Sequence, residues 1–389
     1  MNKMLFCSPC HFGLESVLKR ELEDLGIAIA RVEDGKVYYH GDETVIPRAN
    51  INLRTAERVL LIVAEFTAVT FDELFEKTKA LPWKTYIPAD GKFWVTKANS
   101  VKSKLYSPSD IQSIVKKAMV DSLKPSYNTT ILPETGAEYP LRISILKDRV
   151  QIGLDTTGVS LHKRGYRTDT VKAPIEETLA AALLMLTPWK KDRIFVDPFC
   201  GSGTFPIEAA MIACHMAPGL NREFTAEKWL NLIPKKAWYD ASSEALDAVD
   251  DSVETDIQGY DIDPSAIRAA KENADRAGVL EKIHFQVRDV KELSHRKPYG
   301  FIVTNPPYGE RISEKEELPA LYGTLGERFR KLQDWSLFVI TPYEDTETQI
   351  GRKADKNRKI YNGMMKTYFY SFLGAKPPKH PVEHEKRPF

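Results

Sequence analysis

Four polar residues, Asp197, Asp261, Asp289 and Asn305, each stand behind an apolar or β-prone run: R-I-F-V, I-Q-G-Y, I-H-F-Q-V-R and F-I-V-T respectively. Such a residue ends a strand and leaves its polar group at the carboxyl edge of a sheet, where open α/β sheets bind ligands. Asp197 leads into P-F-C-G-S-G-T (198–204), a turn in which Gly201 and Gly203 would admit a ligand close to the backbone. The turn does not read as a phosphate cradle. No Lys-Ser/Thr follows as in a P-loop, Pro206 replaces the third small residue of a dinucleotide fingerprint, and the turn holds no cation. Its ligand should be neutral or cationic where it meets the loop. Asp261 can accept both hydroxyls of a ribose, with Asp263 left to cap the next helix. Asp289 can accept from the exocyclic amine of adenine. Adenine and ribose without phosphate describe S-adenosylmethionine.

These residues need a frame, and residues 190–375 supply one. Strands are expected at 193–196, 257–260, 283–287, 301–304 and 336–340, with helices at 205–215 and 264–277 and a terminal hairpin from 359–361 and 367–372. Strand–helix alternation of this kind implies a doubly wound parallel sheet. The first part of the chain reads differently. A helix carries Leu14, Val17, Leu18, Leu22 and Leu25 and stops at Gly26; strands follow at 37–39 and 58–66, a loop at 52–56 and a helix at 71–81. A second α+β unit has a strand at 93–96, a helix at 111–123 and a hairpin around Lys147-Asp148.

The formal net charge is +1, so no global polyelectrolyte character names a partner. Residues 101–172 nonetheless carry 12 Lys/Arg against 7 Asp/Glu. Lys97, Lys102 and Lys104, with Tyr106 among them, would suit an RNA backbone, though a solvated surface explains them equally. The chain has no apolar run long enough for a bilayer and no signal peptide, and four cysteines do not make a disulfide framework, so a cytoplasmic protein is expected. Cys7 and Cys10 lack the second pair that a structural zinc site needs, and they are read as small cysteines in a strand-to-helix turn; no metal is expected. Trp229, Trp238 and Trp335 are assigned to the core.

D-P-F-C-G-S-G-T, G-Y-D-I-D-P, R-D-V and T-N-P-P-Y-G-E-R, in that order, resemble the class I S-adenosylmethionine-dependent methyltransferases. With L-H-K-R-G-Y-R (161–167), A-P-I-E-E-T-L-A-A-A-L and A-P-G-L-N-R-E-F, nearly the whole chain is similar to the THUMP-domain RNA guanine methyltransferases of the 23S rRNA guanine-N2 branch. The resemblance implies an α/β protein with an N-terminal ferredoxin-like module (1–66), a THUMP-like RNA-binding module (67–160), a linker and helix (161–190) and a Rossmann-like doubly wound class I methyltransferase domain (191–389). It implies that the turn of Asp197, Cys200, Gly201, Gly203 and Thr204 faces the methionine part of the cofactor, with Asp261 on the ribose and Asp289 on the adenine. It further implies that residues 161–167 lie near that site, so Lys163, Arg164, Arg167 and Arg311 are candidate RNA contacts. Some bacterial members carry a second methyltransferase domain, and this chain is expected to make a single type of modification.

An exocyclic amine on a base is a poor nucleophile, because its lone pair is delocalised into the ring. Two acceptors on its N–H groups would turn the lone pair toward a methyl donor. Asn305 Oδ1 is one, and the Pro306 carbonyl, held in extended geometry by Pro307, is the other. Tyr308 offers a stacking face worth about 1–3 kcal/mol, and the base must be flipped out or already unpaired. Alternatives are a tRNA guanine, an adenine of DNA or RNA, or a protein glutamine as acceptor. A different class is an inactive RNA-binding ribosome-assembly protein. Glu310 and Arg311 are compatible with substrate contact or simple surface pairing.

Overall fold

The computed structural model describes residues 3–167, 175–309, 312–363 and 365–378, and the chain divides into two compact units. The first comprises residues 1–168, 176–186 and 214–252. Its strands are β1 (Met4–Pro9), β2 (Ala28–Glu33), β3 (Lys36–Gly41), β4 (Leu60–Thr67), β5 (Lys92–Val101), β6 (Glu138–Leu146) and β7 (Arg149–Asp155), in the order β2-β3-β1-β4-β7-β6-β5. Antiparallel pairing of β4 with β7 therefore merges the two expected α+β modules into one sheet. The β6–β7 turn has positive φ at Lys147 (50°) and Asp148 (65°), the mirror-image geometry that suits a tight hairpin.

The elements of this unit that lie outside the sequence expectations include β2, the helix Val45–Asn52 and the helix Lys235–Asp247. The helix Val45–Asn52 ends where the expected loop begins, and Pro47 in its first turn, with Asn50 and Asn52 behind it, hides it. It is pinned by Asn50, whose buried amide donates to Ile46 O (2.9 Å) and Thr156 Oγ1 (2.8 Å) and accepts from Thr157 Oγ1 (2.7 Å). The helix Lys235–Asp247 packs against it with Ala237, Ala241 and Ala245 on its buried side. Gly219 approaches so closely that a Cβ there would stand 2.6 Å from Ile51 Cα, which explains the glycine of A-P-G-L. Trp229, Trp238 and Trp335 are all buried, as expected.

Cys7 and Cys10 are free and buried, and burial pushes the Cys7 thiol up to about 12 and that of Cys10 higher still. Neither thiol has the lowered pKa of a redox cysteine.

A polar network ties Glu57 and the segment at Glu176 to the end of β1. His11 Nε2 lies 3.3 Å from Glu57 Oε1 and 3.4 Å from Glu176 Oε2, while Thr178 Oγ1 donates to Glu57 Oε1 at 2.7 Å and His162 Nδ1 lies 3.4 Å from Glu57 Oε2. Burial alone would lower the His11 pKa, but its hydrogen bonds to Glu176 and Glu57 carry it to about 9. Burial likewise opposes the charge on Glu57, yet bonds to His11 and His162 hold its pKa well below the usual range.

The second unit comprises residues 169–175, 187–213 and 253–389. Its strands are β8 (Phe195–Asp197), β9 (Ile257–Asp261), β10 (Ile283–Val287), β11 (Phe301–Thr304), β12 (Ser336–Thr341), β13 (Lys356–Asn362) and β14 (Met365–Phe372). They run in the order β10-β9-β8-β11-β12-β14-β13. The first five are mutually parallel; β14 is antiparallel to both β12 and β13. Strands β11 and β12 are buried along their whole length, as in a sheet covered on both faces. The order reverses between β8 and β11, and this switch point places Asp197 beside the chain leading to Asn305.

Protonated His11 contributes stability that is complete below its unfolded pKa near 6.5 and is lost as pH rises through about 9; the contribution is at most about 3 kcal/mol. Glu57, with a depressed pKa, works the other way, and its contribution disappears as pH falls below the ordinary carboxylate range. Thermal unfolding followed from pH 6 to 9.5 should show a decline in the parent protein that His11→Gln flattens.

Candidate active site

Asp197 is 2% exposed, and its Oδ1 accepts from Phe199 N (3.1 Å) and from Thr304 Oγ1 (2.6 Å), the last residue of β11. Burial pushes its pKa up to about 7, against the opposing effect of those two donors. Its carboxylate thus clamps the two strands that border the switch point. The following turn is held by its backbone: Cys200 N donates to Tyr260 O (2.8 Å), Gly201 N to Asp261 Oδ2 (3.0 Å), and Asn273 Nδ2 to Ser202 O (3.0 Å). Gly203 has φ +86°, and a Cβ there would come within 3.0 Å of Ala270 Cβ, so side chains are excluded twice over. Thr204 opens the helix Thr204–Ala213 and is buried. Cys200 is buried too, and burial raises its thiol pKa far above the ordinary value, which makes it a shape-filling residue and no nucleophile.

Asp261 is partly exposed and already anchored, with Oδ1 accepting from Asp263 N at 2.9 Å and Oδ2 from Gly201 N. Each oxygen keeps a further lone pair for an incoming hydroxyl. Asp263 caps the helix Pro264–Arg276 through Ser265 N at 2.7 Å. Between these two aspartates Ile262 is 69% exposed, an apolar surface at a strand end that sequence reasoning passed over. The signal was available: an isoleucine flanked by two acids has no core of its own to join. Asp289 caps the short turn Val290–Glu292 by accepting from Lys291 N at 2.8 Å, and its side chain is partly exposed.

The asparagine turn differs from expectation in one respect. Pro306 is buried and Pro307 exposed, but the Tyr308 ring is not laid open as a stacking face. Its phenol donates to Asn305 Oδ1, the acceptor assigned to the substrate amine, and is itself hydrogen-bonded by the Asn362 side chain. Burial raises its pKa to about 12, so the phenol is neutral at physiological pH. Tyr322 OH bonds Thr341 Oγ1 at 2.6 Å and lies 3.5 Å from Pro307 O, which supports the turn from below.

The basic segment needs correction. Arg164, expected at RNA, is 3% exposed and donates to the carbonyls of Leu161 and Arg54. Arg167 is bound to buried Glu177 at 2.6 Å. Both brace the first unit; Lys163 alone of the three points to solvent. The segment folds this way because Arg222, from the insertion, caps the carbonyls of Ser160 (2.8 Å) and Lys163 (2.9 Å). Arg311 and Glu310 lie outside the described residues. Lys97, Lys102, Lys104 and Tyr106 are exposed.

Among the described residues, His11, Glu57 and Glu176 form the one group close enough to share a metal ion. A metal there would have to displace a proton that His11 holds up to a pKa of about 9. No described helix is long and apolar enough to cross a membrane.

Three family models match the chain in succession, and the last of them takes in residues of both compact units. Residues 5–60 match the RlmL ferredoxin-like domain, 68–155 the THUMP domain and 164–370 the RMKL-like methyltransferase domain. The Bacillus subtilis protein YpsC, a candidate RNA methyltransferase by name, is 46% identical over 97% of this chain and 98% of its own length. The ribosomal RNA large subunit methyltransferase K/L of Marinobacter nauticus is 34% identical over 98% of this chain, which spans only 55% of that enzyme. SMU.472, a candidate methyltransferase solved with S-adenosylhomocysteine, superposes with a TM-score of 0.92 at 40% identity, covering 97% of this chain and all of that one.

The Asp197–Thr304 clamp gives a direct test. Thr304→Val keeps the shape and removes the donor to a buried carboxylate, and should cost about 1–3 kcal/mol of stability in a denaturant titration. Loss near zero would mean that Asp197 is satisfied without Thr304.

Proposed function

This chain belongs to the RMKL-like, THUMP-domain methyltransferase family, and on that premise we propose that it methylates the exocyclic 2-amino group of a guanine in 23S ribosomal RNA. It is an S-adenosylmethionine-dependent RNA methyltransferase; the base, the atom and the RNA are the proposal. The observation that supports it is the Thr304–Asp197 bond, which brings the strand end that leads into Asn305 and Pro306 beside the glycine turn anchored on Asp261.

The residues fit the cofactor in their donor chemistry. A turn without cations, backed by buried Asp197 and by Asp261, favours a ligand with a ribose diol and a positive centre over a phosphate. Asp261 would hold the ribose hydroxyls, Asp289 the adenine amine, Ile262 the adenine face, and the Asp197–Thr204 turn the methionine portion. When bound, the cofactor supplies an electrophilic methyl group on a sulfonium.

Asn305 Oδ1 and the Pro306 carbonyl accept from the amine of the flipped base, draw its nitrogen toward a tetrahedral shape and aim the lone pair. Tyr308 first has to release Asn305, and the incoming N–H replaces its O–H, so one hydrogen bond is exchanged for another at small net cost. The freed ring is then available to stack on the base. Neutral Tyr308 is not the base, and none is needed, because the amine proton becomes acidic once nitrogen is alkylated. The protein contributes positioning and electrostatics.

Labelled methyl transfer to total RNA from a strain lacking the gene, followed by nucleoside analysis, tests the reading. N2-methylguanosine in 23S rRNA supports it. Methylated tRNA guanine or methyladenine moves the target, and no transfer to any RNA leaves the inactive assembly-factor reading standing. Asn305→Ala should lower kcat by about 100-fold or more, with cofactor affinity within about twofold of the parent by calorimetry. Tyr308→Phe should stay within a few-fold of the parent, whereas Tyr308→Ala should weaken RNA use by about 1–3 kcal/mol in kcat/KM. Equal losses in the two Tyr308 variants would assign the effect to the phenol.

A further inference from the structure

Strands β13 and β14 form one edge of the second sheet, and their turn lies on the side that carries the active-site loops. The register fixes this side. Thr341, at the carboxyl end of β12, stands opposite Tyr368, so the residues of β14 before Tyr368 run on past the end of β12 by about 10 Å at roughly 3.3 Å per residue. Asn362, the last residue of β13, reaches the Tyr308 phenol.

Alternation decides what this extension presents. Ile360, Thr367 and Phe369 are buried on one face. On the other, Lys359 pairs with Tyr368 and Tyr361 with Lys366, a two-by-two pattern of lysines and tyrosines. Lys359 Nζ lies 5.2 Å from the Tyr361 ring centre and Lys366 Nζ 5.0 Å from that of Tyr368. Both lysines are exposed, Tyr361 is 37% exposed, and neither lysine makes an ion pair among the described residues. Farther along the same face, Tyr370 and Phe372 are covered in the core with Leu325 and Ile350. The uncovered part is therefore the tip half; Asn362, which meets Tyr308, stands at the same tip on the opposite face, with Ile360. Residues 352–366 carry six Lys/Arg and one acid.

Lys366 is also hydrogen-bonded to the Tyr368 side chain, but fold stability does not require clustered cations without acidic partners around half-exposed tyrosines. Cations for phosphates with aromatic faces for bases is the chemistry of single-stranded nucleic-acid binding. We propose that this face of the hairpin binds the single-stranded RNA segment flanking the target nucleotide, Lys359 and Lys366 contacting phosphates and Tyr361 stacking on a neighbouring base. The assignment rests on the RNA methyltransferase reading above and gives that site its path for the substrate strand.

The test uses the full chain with Lys359→Glu/Lys366→Glu and, as a milder pair, Lys359→Gln/Lys366→Gln. A fluorescein-labelled 12-nucleotide RNA of mixed sequence is titrated over a salt series, alongside methyl transfer to total RNA from the deletion strain. In the glutamate pair, affinity should fall by about tenfold or more. The slope of log K against log salt should drop by about 1.4, two phosphates at about 0.7 each. In the methyl-transfer assay KM for RNA should rise while kcat at saturating RNA, S-adenosylhomocysteine affinity and Tm stay unchanged. The glutamine pair should show the same slope change with a smaller loss of affinity. Parent-like affinity and slope in both variants, with the parent active on RNA, would overturn the hairpin assignment alone. An inactive parent would instead defeat the reading beneath it.

Discussion

The second unit is organised around one buried hydrogen bond, from the Thr304 hydroxyl to the Asp197 carboxylate. Strands β8 and β11 pair only at Phe195–Phe301 and Val196–Ile302, and beyond those pairs their chains leave in different directions. The divergence opens the crevice of a doubly wound sheet, and the bond holds its two banks at a set distance. A carboxylate so far from water is costly unless donors meet it. Here two donors do, yet burial still lifts its pKa to about 7, so the clamp operates near balance. The turns that follow, one from Asp197 and one from Asn305, inherit their relative placement from it.

Two further contacts extend the same logic outward. Gly201 N on Asp261 fixes the glycine turn to the end of β9, which makes the turn's shape a property of the backbone. No Lys or Arg stands among residues 197–204, so the turn offers no side-chain cation to a phosphate. Tyr308 on Asn305 keeps that amide oxygen occupied, and in the proposed reaction a substrate N–H would replace the phenol. An unpaired carboxamide oxygen in a half-buried crevice would be a standing cost, and the phenol removes it.

The strand ends were legible because they are local. An apolar run closed by Asp or Asn announces both the strand and the direction of its last side chain, and Ile283–Val287 and Phe301–Thr304 appear with the bounds their sequences imply. What escaped notice depends on residues far away in the chain. The β4–β7 pairing that joins two modules into one sheet has no signature in either strand alone. Arg164 and Arg167 look like solvent-facing cations until the carbonyl of Arg54 and the carboxylate of Glu177 are brought to them. The helix Val45–Asn52 was masked by Pro47, and the helix Lys235–Asp247 by a buried stripe of alanines too small to signal a core. The folded-back Tyr308 depends on Asn362, at the tip of a hairpin whose register no local pattern sets.

Turning Arg164 and Arg167 inward changes where charge for RNA can come from. The exposed cations of the first unit gather instead on and after β5, an edge strand carrying Lys97 and followed by Lys102, Lys104 and the 81%-exposed Tyr106. The second unit ends its sheet on β13, again with lysines beside tyrosines. Edge strands commonly bear lysines simply to discourage pairing with other chains. That purpose needs charge alone. It does not need an aromatic ring placed at cation–π distance and left half open, as at Lys359 with Tyr361, 5.2 Å apart; Lys92, 5.3 Å from Trp94, differs in being ion-paired to Glu138 at 3.0 Å. On β13 the lysines make no ion pair among the described residues, so protection of the edge alone does not explain why they stand beside tyrosines, and the RNA strand proposed there would use both residue types.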